Sequence, residues 1–198
     1  MQPVLEISSA AKRFGGVHAL IDANLNLYAG EIHALLGENG AGKSTLLKTL
    51  AGVHRLDKGS IKLFNQEFIA GSTKQAQEQG IAVIYQEPSL FPDLTLAENV
   101  FVGRQPTASG IKKVNWREMS NEAVELFNRL GVPLNPNRRA RGLSIADQQI
   151  VEIAKALSLN AKVIVMDEPT AALSATETAR LFKVARSLKE SGAALVFV

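Results

Sequence analysis

The chain has 198 residues, 46% of them hydrophobic, with 22 basic against 19 acidic side chains and no cysteine. That length and apolar content support one domain with room for a subdomain, and the missing cysteines exclude disulfides and thiolate metal sites. A net charge of +3 without a basic run interleaved with aromatics gives a nucleic-acid interface no footing, so no nucleic-acid partner is expected. No stretch of 18 apolar residues and no positive-then-apolar leader occurs, which predicts a cytoplasmic chain whose membrane link, if it has one, runs through a partner.

Along the chain, Val4 to about Lys12, Ala23 to Leu36 and Gly59 to Phe68 show short alternating apolar stretches and read as strands of a mainly antiparallel layer. Within the second of these, Ile32-His33-Ala34-Leu35-Leu36 reads as a buried strand leading into Gly37-Glu38-Asn39-Gly40-Ala41-Gly42-Lys43-Ser44. That segment fits the phosphate-loop pattern G-x-x-x-x-G-K-[ST], and Ser44 to Leu50 after it reads as a helix. A glycine-rich turn between strand and helix lets backbone N–H groups converge on an anion, with the positive helix end behind them. Gly37, Gly40 and Gly42 allow close backbone approach, Lys43 would reach the terminal phosphates, and Ser44 would hold Mg²⁺. The sequence therefore predicts a nucleoside triphosphate site.

Ser72 to Gln79 reads as a short polar helix stopped at Gly80, and Ile81 to Tyr85 as a sheet strand that delivers Gln86. Leu94 to Val102 reads as a turn and short helix, and Gln105 to Gly110 as a linker rich in small turn residues. Asn115 caps a predicted helix from Trp116 to Leu130, with Met119, Ala123, Leu126, Phe127 and Leu130 as its core stripe and Gly131 as its stop. Pro133 and Pro136 break the chain, Arg138-Arg139-Ala140-Arg141 forms a solvated turn, and Ser144 opens a helix running to about Leu159. Val163-Ile164-Val165-Met166 suits a strand buried on both faces of a parallel sheet. Asp167 and Glu168 follow at its carboxyl end, where open α/β sheets place ligands. An acid there can hold the phosphate-bridging metal, and a second can orient the attacking water; read alone, the same residues could form a solvated turn. Ala175 to Ser191 reads as a helix burying Leu181, Phe182, Ala185 and Leu188, and Ala194 to Val198 as a last strand.

Taken in order, the phosphate loop, Gln86, Leu143-Ser144-Ile145-Ala146-Asp147-Gln148-Gln149 and Asp167-Glu168-Pro169-Thr170 resemble the motifs of an ABC transporter nucleotide-binding domain, from about Leu5 to Val198. Phe14-Gly15-Gly16-Val17-His18-Ala19-Leu20, Tyr85-Gln86-Glu87-Pro88 and the run from Gln149 to Leu157 are similar to the ATPases of bacterial monosaccharide importers of the ribose and autoinducer-2 types. The resemblance implies an α/β fold: a P-loop NTPase (RecA-like) core over about residues 1–87 and 161–198, an antiparallel β layer, and an inserted α-helical subdomain over about 88–160.

It also implies roles. Phe14 would stack on adenine, residues Gly37, Glu38, Asn39, Gly40, Ala41, Gly42, Lys43, Ser44 and Thr45 would hold the phosphates of ATP, and Ser44, Gln86 and Asp167 would hold Mg²⁺. Glu168 and Gln86 would be the catalytic residues, and Ser144 would address the γ-phosphate of ATP bound to a second such domain. Without the resemblance, Phe14 reads as core, Gln86 as a polar loop residue and Ser144 as an N-cap. The expected partners are that second domain, transmembrane permease subunits and, indirectly, an extracytoplasmic solute-binding protein, at the cytoplasmic face of the inner membrane. Two departures stand out: Ile145 and Ala146 replace the two glycines of the signature, and Ser174 stands where an aspartate is frequent. The family's switch histidine follows the last strand, whereas His18, His33 and His54 lie near or before the phosphate loop. The expectation is an N-terminal copy of a duplicated domain, truncated, that binds ATP and hydrolyses it poorly alone. Two other classes fit less of the pattern: a soluble ABC-type ATPase acting on nucleic acid or ribosomes, and a non-catalytic nucleotide-binding half-site.

Overall fold

A computed structural model describes residues 2–107 and 113–198, which divide into two compact units. The first comprises residues 1–86, 159–169 and 185–198; the second comprises residues 87–158 and 170–184.

Two four-stranded sheets build the first unit. Strands β1 (Leu5–Phe14), β2 (Val17–Leu27), β4 (Lys58–Leu63) and β5 (Gln66–Glu67) form an antiparallel sheet in the order β2-β1-β4-β5. Strands β3 (Ile32–Ala34), β6 (Ile81–Ile84), β7 (Val163–Met166) and β8 (Ala194–Phe197) form a parallel sheet in the order β3-β8-β7-β6. Helix α1 (Lys43–Leu50) follows β3, and α2 (Thr73–Glu78), capped by the Ser72 hydroxyl, precedes β6. One core joins them: Leu5, Ile7, Leu27, Ile61 and Leu63 of the antiparallel sheet, Leu46, Leu47 and Leu50 of α1, and Ile81, Val163, Val165 and Val196 of the parallel sheet. Full burial of each such side chain contributes about 1.5–3 kcal/mol relative to exposure. Val163 to Met166 are buried on both faces of the sheet, as their continuous apolar run predicts.

The stretch from Ala23 to Leu36 is not one strand. It leaves the antiparallel sheet at Leu27, turns through Gly30 at φ 69° with the Glu31 carboxylate accepting from the Tyr28 N–H, and enters the parallel sheet at Ile32. The first sheet also begins its second strand earlier, at Val17. The expectation of a buried strand over Ile32–Leu36 is likewise corrected: β3 pairs on one side with β8, and Leu36 is 87% exposed.

The second unit is helical, with α3 (Leu96–Phe101), α4 (Trp116–Arg129) and α5 (Ile145–Ser158). Thr95 and Glu98 form a reciprocal capping box on α3, and the Asn115 side chain caps α4 at the Glu118 N–H. Met119, Ala123, Leu126, Phe127 and Leu130 are buried, as the period of the sequence predicts, and Gly131 closes the helix at φ 67°. The predicted linker from Gln105 to Gly110 is described only as far as Thr107, which forms an antiparallel bridge with Val114; its residues 108–110 lie outside the described ones.

Helix α6 (Ala175–Glu190) begins in the second unit and ends in the first, so residues 170–184 group with the helical part and not with the core. An ion pair from Arg180 to Asp147 of α5 at 2.8 Å holds that first half. The buried face of α6 is Leu181, Val184, Ala185 and Leu188, whereas Phe182 is 36% exposed. Phe182 sits one residue off the i, i+3, i+4, i+7 stripe and is only partly covered.

Candidate functional site

The four parallel strands end in register: Ala34 of β3 pairs with Phe197 of β8, which pairs with Met166 of β7, which pairs with Ile84 of β6. Their carboxyl ends form one row, from which the phosphate loop, Val198, Asp167-Glu168 and Tyr85-Gln86 emerge side by side. Backbone bonds fix the exits, from Leu35 N–H to Phe197 O (2.8 Å), Asp167 N–H to Ile84 O (2.9 Å) and Glu168 N–H to Val198 O (3.2 Å). The sheet thus gathers three motifs that are far apart in sequence.

The phosphate loop crosses from β3 into α1 over the exposed residues Gly37 to Ala41. Gly42 is the helix N-cap at φ 89°, and a Cβ there would lie 2.3 Å from the Ala19 carbonyl oxygen and 2.9 Å from Leu20 of β2. Only glycine fits such a position. Gly40 needs its positive φ of 84° but has open space, and Gly37 needs no positive φ, though a Cβ there would lie 3.3 Å from the Ala41 Cβ. No side chain caps α1 and no acid lies in its first turn, so its N-terminal amides are available to an anion. The Lys43 ammonium folds back onto the loop, donating to the carbonyls of Gly37 (2.5 Å) and Glu38 (2.8 Å). Ser44 is exposed and Thr45 half-buried at the start of the helix.

Asp167 is partly buried; burial first, and the neighbouring Glu168 carboxylate second, push its carboxyl above the usual range, while Lys43 and Lys48 pull it down. Tyr85 is raised by burial and by the Asp167 charge. Glu168 has a φ of 43°, a left-handed conformation unfavourable for a side chain of this kind, held by its bond to Val198. Strain of this sort persists where the surroundings over-determine it and collects at functional positions. Gln86 is exposed two residues beyond β6. Among the described residues no three His, Cys, Asp or Glu side chains cluster as a metal site. The available donors, the Ser44 hydroxyl and the Asp167 carboxylate, suit a hard cation that takes its other ligands from phosphate and water.

Phe14 ends β1 and is 43% exposed, not core. The His54 ring meets it edge-to-face with centroids 5.0 Å apart, and the Lys12 ammonium lies 5.5 Å from its centroid. Asp57 ties this strand end down, accepting from Lys12 Nζ and from the Arg13 N–H, both at 2.7 Å. Neither His54 nor Asp57 carries a motif, and only their spacing after the phosphate-loop helix hints at them.

Ser144 lies in the second unit, where its hydroxyl accepts from the Asp147 N–H at 3.1 Å and caps α5. Ala146 is only 3% exposed, so its methyl group packs into the helical unit, whereas Ile145 is exposed. Ser174 forms a reciprocal box with Glu177 on α6, its hydroxyl accepting from the Glu177 N–H at 3.3 Å. Aspartate and serine cap a helix about equally, so this serine keeps the cap and drops a charge. Ser89, shortly after Gln86, donates from N–H and hydroxyl to Glu152 of α5, both at 3.1 Å, a link with no sequence signature.

The sequence profile described as ABC transporter matches residues 20–171. The ribose import ATP-binding protein RbsA of Rhodococcus jostii (strain RHA1) is 59% identical over 99% of this chain and 39% of its own length. A protein of the same name from Caldanaerobacter subterraneus subsp. tengcongensis is 42% identical over the whole chain and 40% of its own length. The chain thus spans about two fifths of the length of the curated relatives it matches. Among solved structures, an ATP-binding cassette of an ABC transporter in its ADP conformation superposes with a TM-score of 0.87 at 25% identity, covering 100% of this chain and 81% of that one. A nucleotide-free ATP-binding cassette gives 0.85 at 27% identity, over 99% and 81%. The P-loop NTPase core with an antiparallel sheet and a helical unit is the fold of these cassettes. The chain belongs to the ABC transporter family.

Proposed function

We propose that this chain is an ATP-binding and ATP-hydrolysing domain of a subunit that powers import of a sugar or sugar-like solute. The observation that carries the ATPase reading is the in-register row of strand ends, in which the phosphate loop and Asp167-Glu168 leave the same sheet edge with one strand between them. The sugar reading rests on relatives named as ribose import proteins.

In this reading the N–H groups of the loop and of the start of α1 cradle the β- and γ-phosphates. Lys43 exchanges the carbonyls of Gly37 and Glu38 for phosphate oxygens, and adenine stacks on Phe14. Ser44, Gln86 and Asp167 would hold Mg²⁺, which would draw off negative charge from the phosphates. Glu168 orients and polarises the attacking water, and Ser144 of one domain faces the γ-phosphate held by another, so two domains enclose each ATP. Catalysis of this kind is mostly positioning and charge stabilisation. Closing and reopening of the pair moves transmembrane permease subunits, to which a solute-binding protein delivers the cargo. Among the described residues no helix is long and apolar enough to cross a membrane. In this reading the permease subunits hold the domain at the cytoplasmic face.

The test is recovery of the full-length subunit from its source cells, followed by an ATPase assay. Co-purification with a permease and ATP hydrolysis stimulated by a sugar-loaded binding protein support the proposal. Recovery with RNA or ribosomes overturns the transport reading, and binding without turnover by the assembled pair overturns the hydrolytic one.

A further inference from the structure

We infer that His54 is a positioning residue for the nucleotide base, coupling the Phe14 platform to the helix that grips the phosphates. The inference rests on the proposed stacking of adenine on Phe14 and adds to it the part that fixes the ring.

Phe14 ends its strand, exposed over much of its surface, where an isolated ring would sample several rotamers. Two side chains restrict it. Lys12 lies over the ring, 5.5 Å from its centroid, and His54 meets the ring at an interplanar angle of 66°. Edge-to-face pairs at this separation are attractive beyond their burial.

His54 is itself fixed to the phosphate-loop helix. The N–H groups of Val53 and His54 both donate to the carbonyl of Lys48, at 2.8 and 3.2 Å, which hooks the residue onto the last turn of α1. The first turn of the same short helix carries Lys43 and Ser44. A second strut runs through β2: Val17 pairs with Phe14, and Ala19 and Leu20 of that strand crowd Gly42 at the helix N-cap. The base platform is therefore braced against both ends of α1. Three residues beyond His54, Asp57 clamps Lys12 and Arg13, so the loop after α1 grips the end of β1 at two points. With His54 in place the ring waits in a stacking orientation, and binding costs less ordering.

The experiment measures ATP and inorganic triphosphate affinities for the full-length subunit and its His54→Ala, His54→Phe and Phe14→Ala variants. His54→Ala is expected to weaken ATP about 3- to 10-fold, the range of an aromatic pair, with triphosphate affinity unchanged within about twofold. His54→Phe restores ATP affinity, because it restores the ring. Phe14→Ala weakens ATP more strongly and leaves triphosphate alone. If Phe14→Ala weakens ATP and His54→Ala does not, the positioning role is wrong and the stacking reading stands. Equal loss of both ligands in His54→Ala means that the residue supports the phosphate loop or the fold, which also overturns the inference. Unchanged ATP affinity in Phe14→Ala removes the stacking reading and the inference with it.

Discussion

The Asp167 N–H donates to the carbonyl oxygen of Ile84 at 2.9 Å, clamping the end of one central strand to its neighbour at the point where both deliver a polar residue to the sheet edge. The bond sets where the Asp167 and Glu168 carboxylates leave the sheet, and the strained φ of Glu168 sets how the second one turns. In the proposed mechanism these carboxylates differ in role: Asp167, raised by burial, belongs with the metal, and Glu168 with the water.

Glu168→Gln separates the two. The amide keeps the size and hydrogen-bonding reach of the side chain but cannot accept a proton. ATP affinity of the assembled transporter is expected to stay within a few fold of wild type, while turnover falls about 10²- to 10⁴-fold, the usual contribution of a positioned acid–base group. A phosphate-release assay at saturating ATP reads this directly, and turnover near wild type would remove Glu168 from the mechanism.

Lys43→Ala tests the cradle. Among the described residues the ammonium donates to loop carbonyls, and the partly buried Asp167 it faces keeps Lys48 nearby, so the fold should persist by circular dichroism. ATP binding should be lost in a nucleotide-binding assay. Retained affinity in a folded variant would mean that the nucleotide sits elsewhere.

The glycines of the loop should rank by structure and not by motif. Gly42→Ala combines a left-handed backbone with a Cβ 2.3 Å from the Ala19 carbonyl and should unfold the loop region. Gly40→Ala meets no neighbour and should cost only the backbone term, about 1–2 kcal/mol. Gly37→Ala, with neither burden in full, should cost least. Urea midpoints measured in parallel check the order, and Gly40→Ala falling below Gly42→Ala would contradict it.

How much of this was legible beforehand follows the range of the interactions. The phosphate loop, the cap at Asn115 and the stripe on α4 are local patterns, and a sequence displays them. The division of Ala23–Leu36 between two sheets was not visible, because both halves alternate alike and only pairing partners far along the chain tell them apart. Phe182 misled because a large apolar residue beside a helical stripe looks like part of it. Asp57 lies 45 residues from Lys12, so nothing near Phe14 in the sequence announces what holds it. The roles of Phe14, Gln86 and Ser144 came from resemblance to a family, since no local physics assigns them.

The Lys12–Asp57 pair gives a pH prediction. The Lys12 hydrogen bond first, and the Arg13 N–H second, hold the Asp57 carboxyl below the ordinary carboxylate value. A folded-state value below the unfolded one means stabilisation that is present above the unfolded value, about 3.9, and lost as pH falls through the folded one. Thermal melts of wild type and Asp57→Asn should differ above the unfolded value and draw together as pH falls below it. The carboxylate is exposed, so the difference should be small and should shrink in salt. A gap that does not shrink as pH falls below about 3.9 would assign the effect to packing.

Ser144 has two readings that one substitution can part. Its hydroxyl caps α5 by accepting from the Asp147 N–H, and the proposed mechanism also turns this helix start toward the γ-phosphate of a neighbouring domain. Aspartate is as good an N-cap as serine, so Ser144→Asp keeps the helix start and adds a negative charge to it. If capping is the whole role, melting temperature and ATP turnover both match wild type. If the helix start faces phosphate, the melting temperature holds while turnover drops at least tenfold, because like charges oppose closure of the pair. Ser144→Ala supplies the contrast, costing about 1 kcal/mol of stability through the lost cap with a milder effect on turnover. The second pattern is the expected one, and a fully active Ser144→Asp transporter would leave this residue as a cap alone.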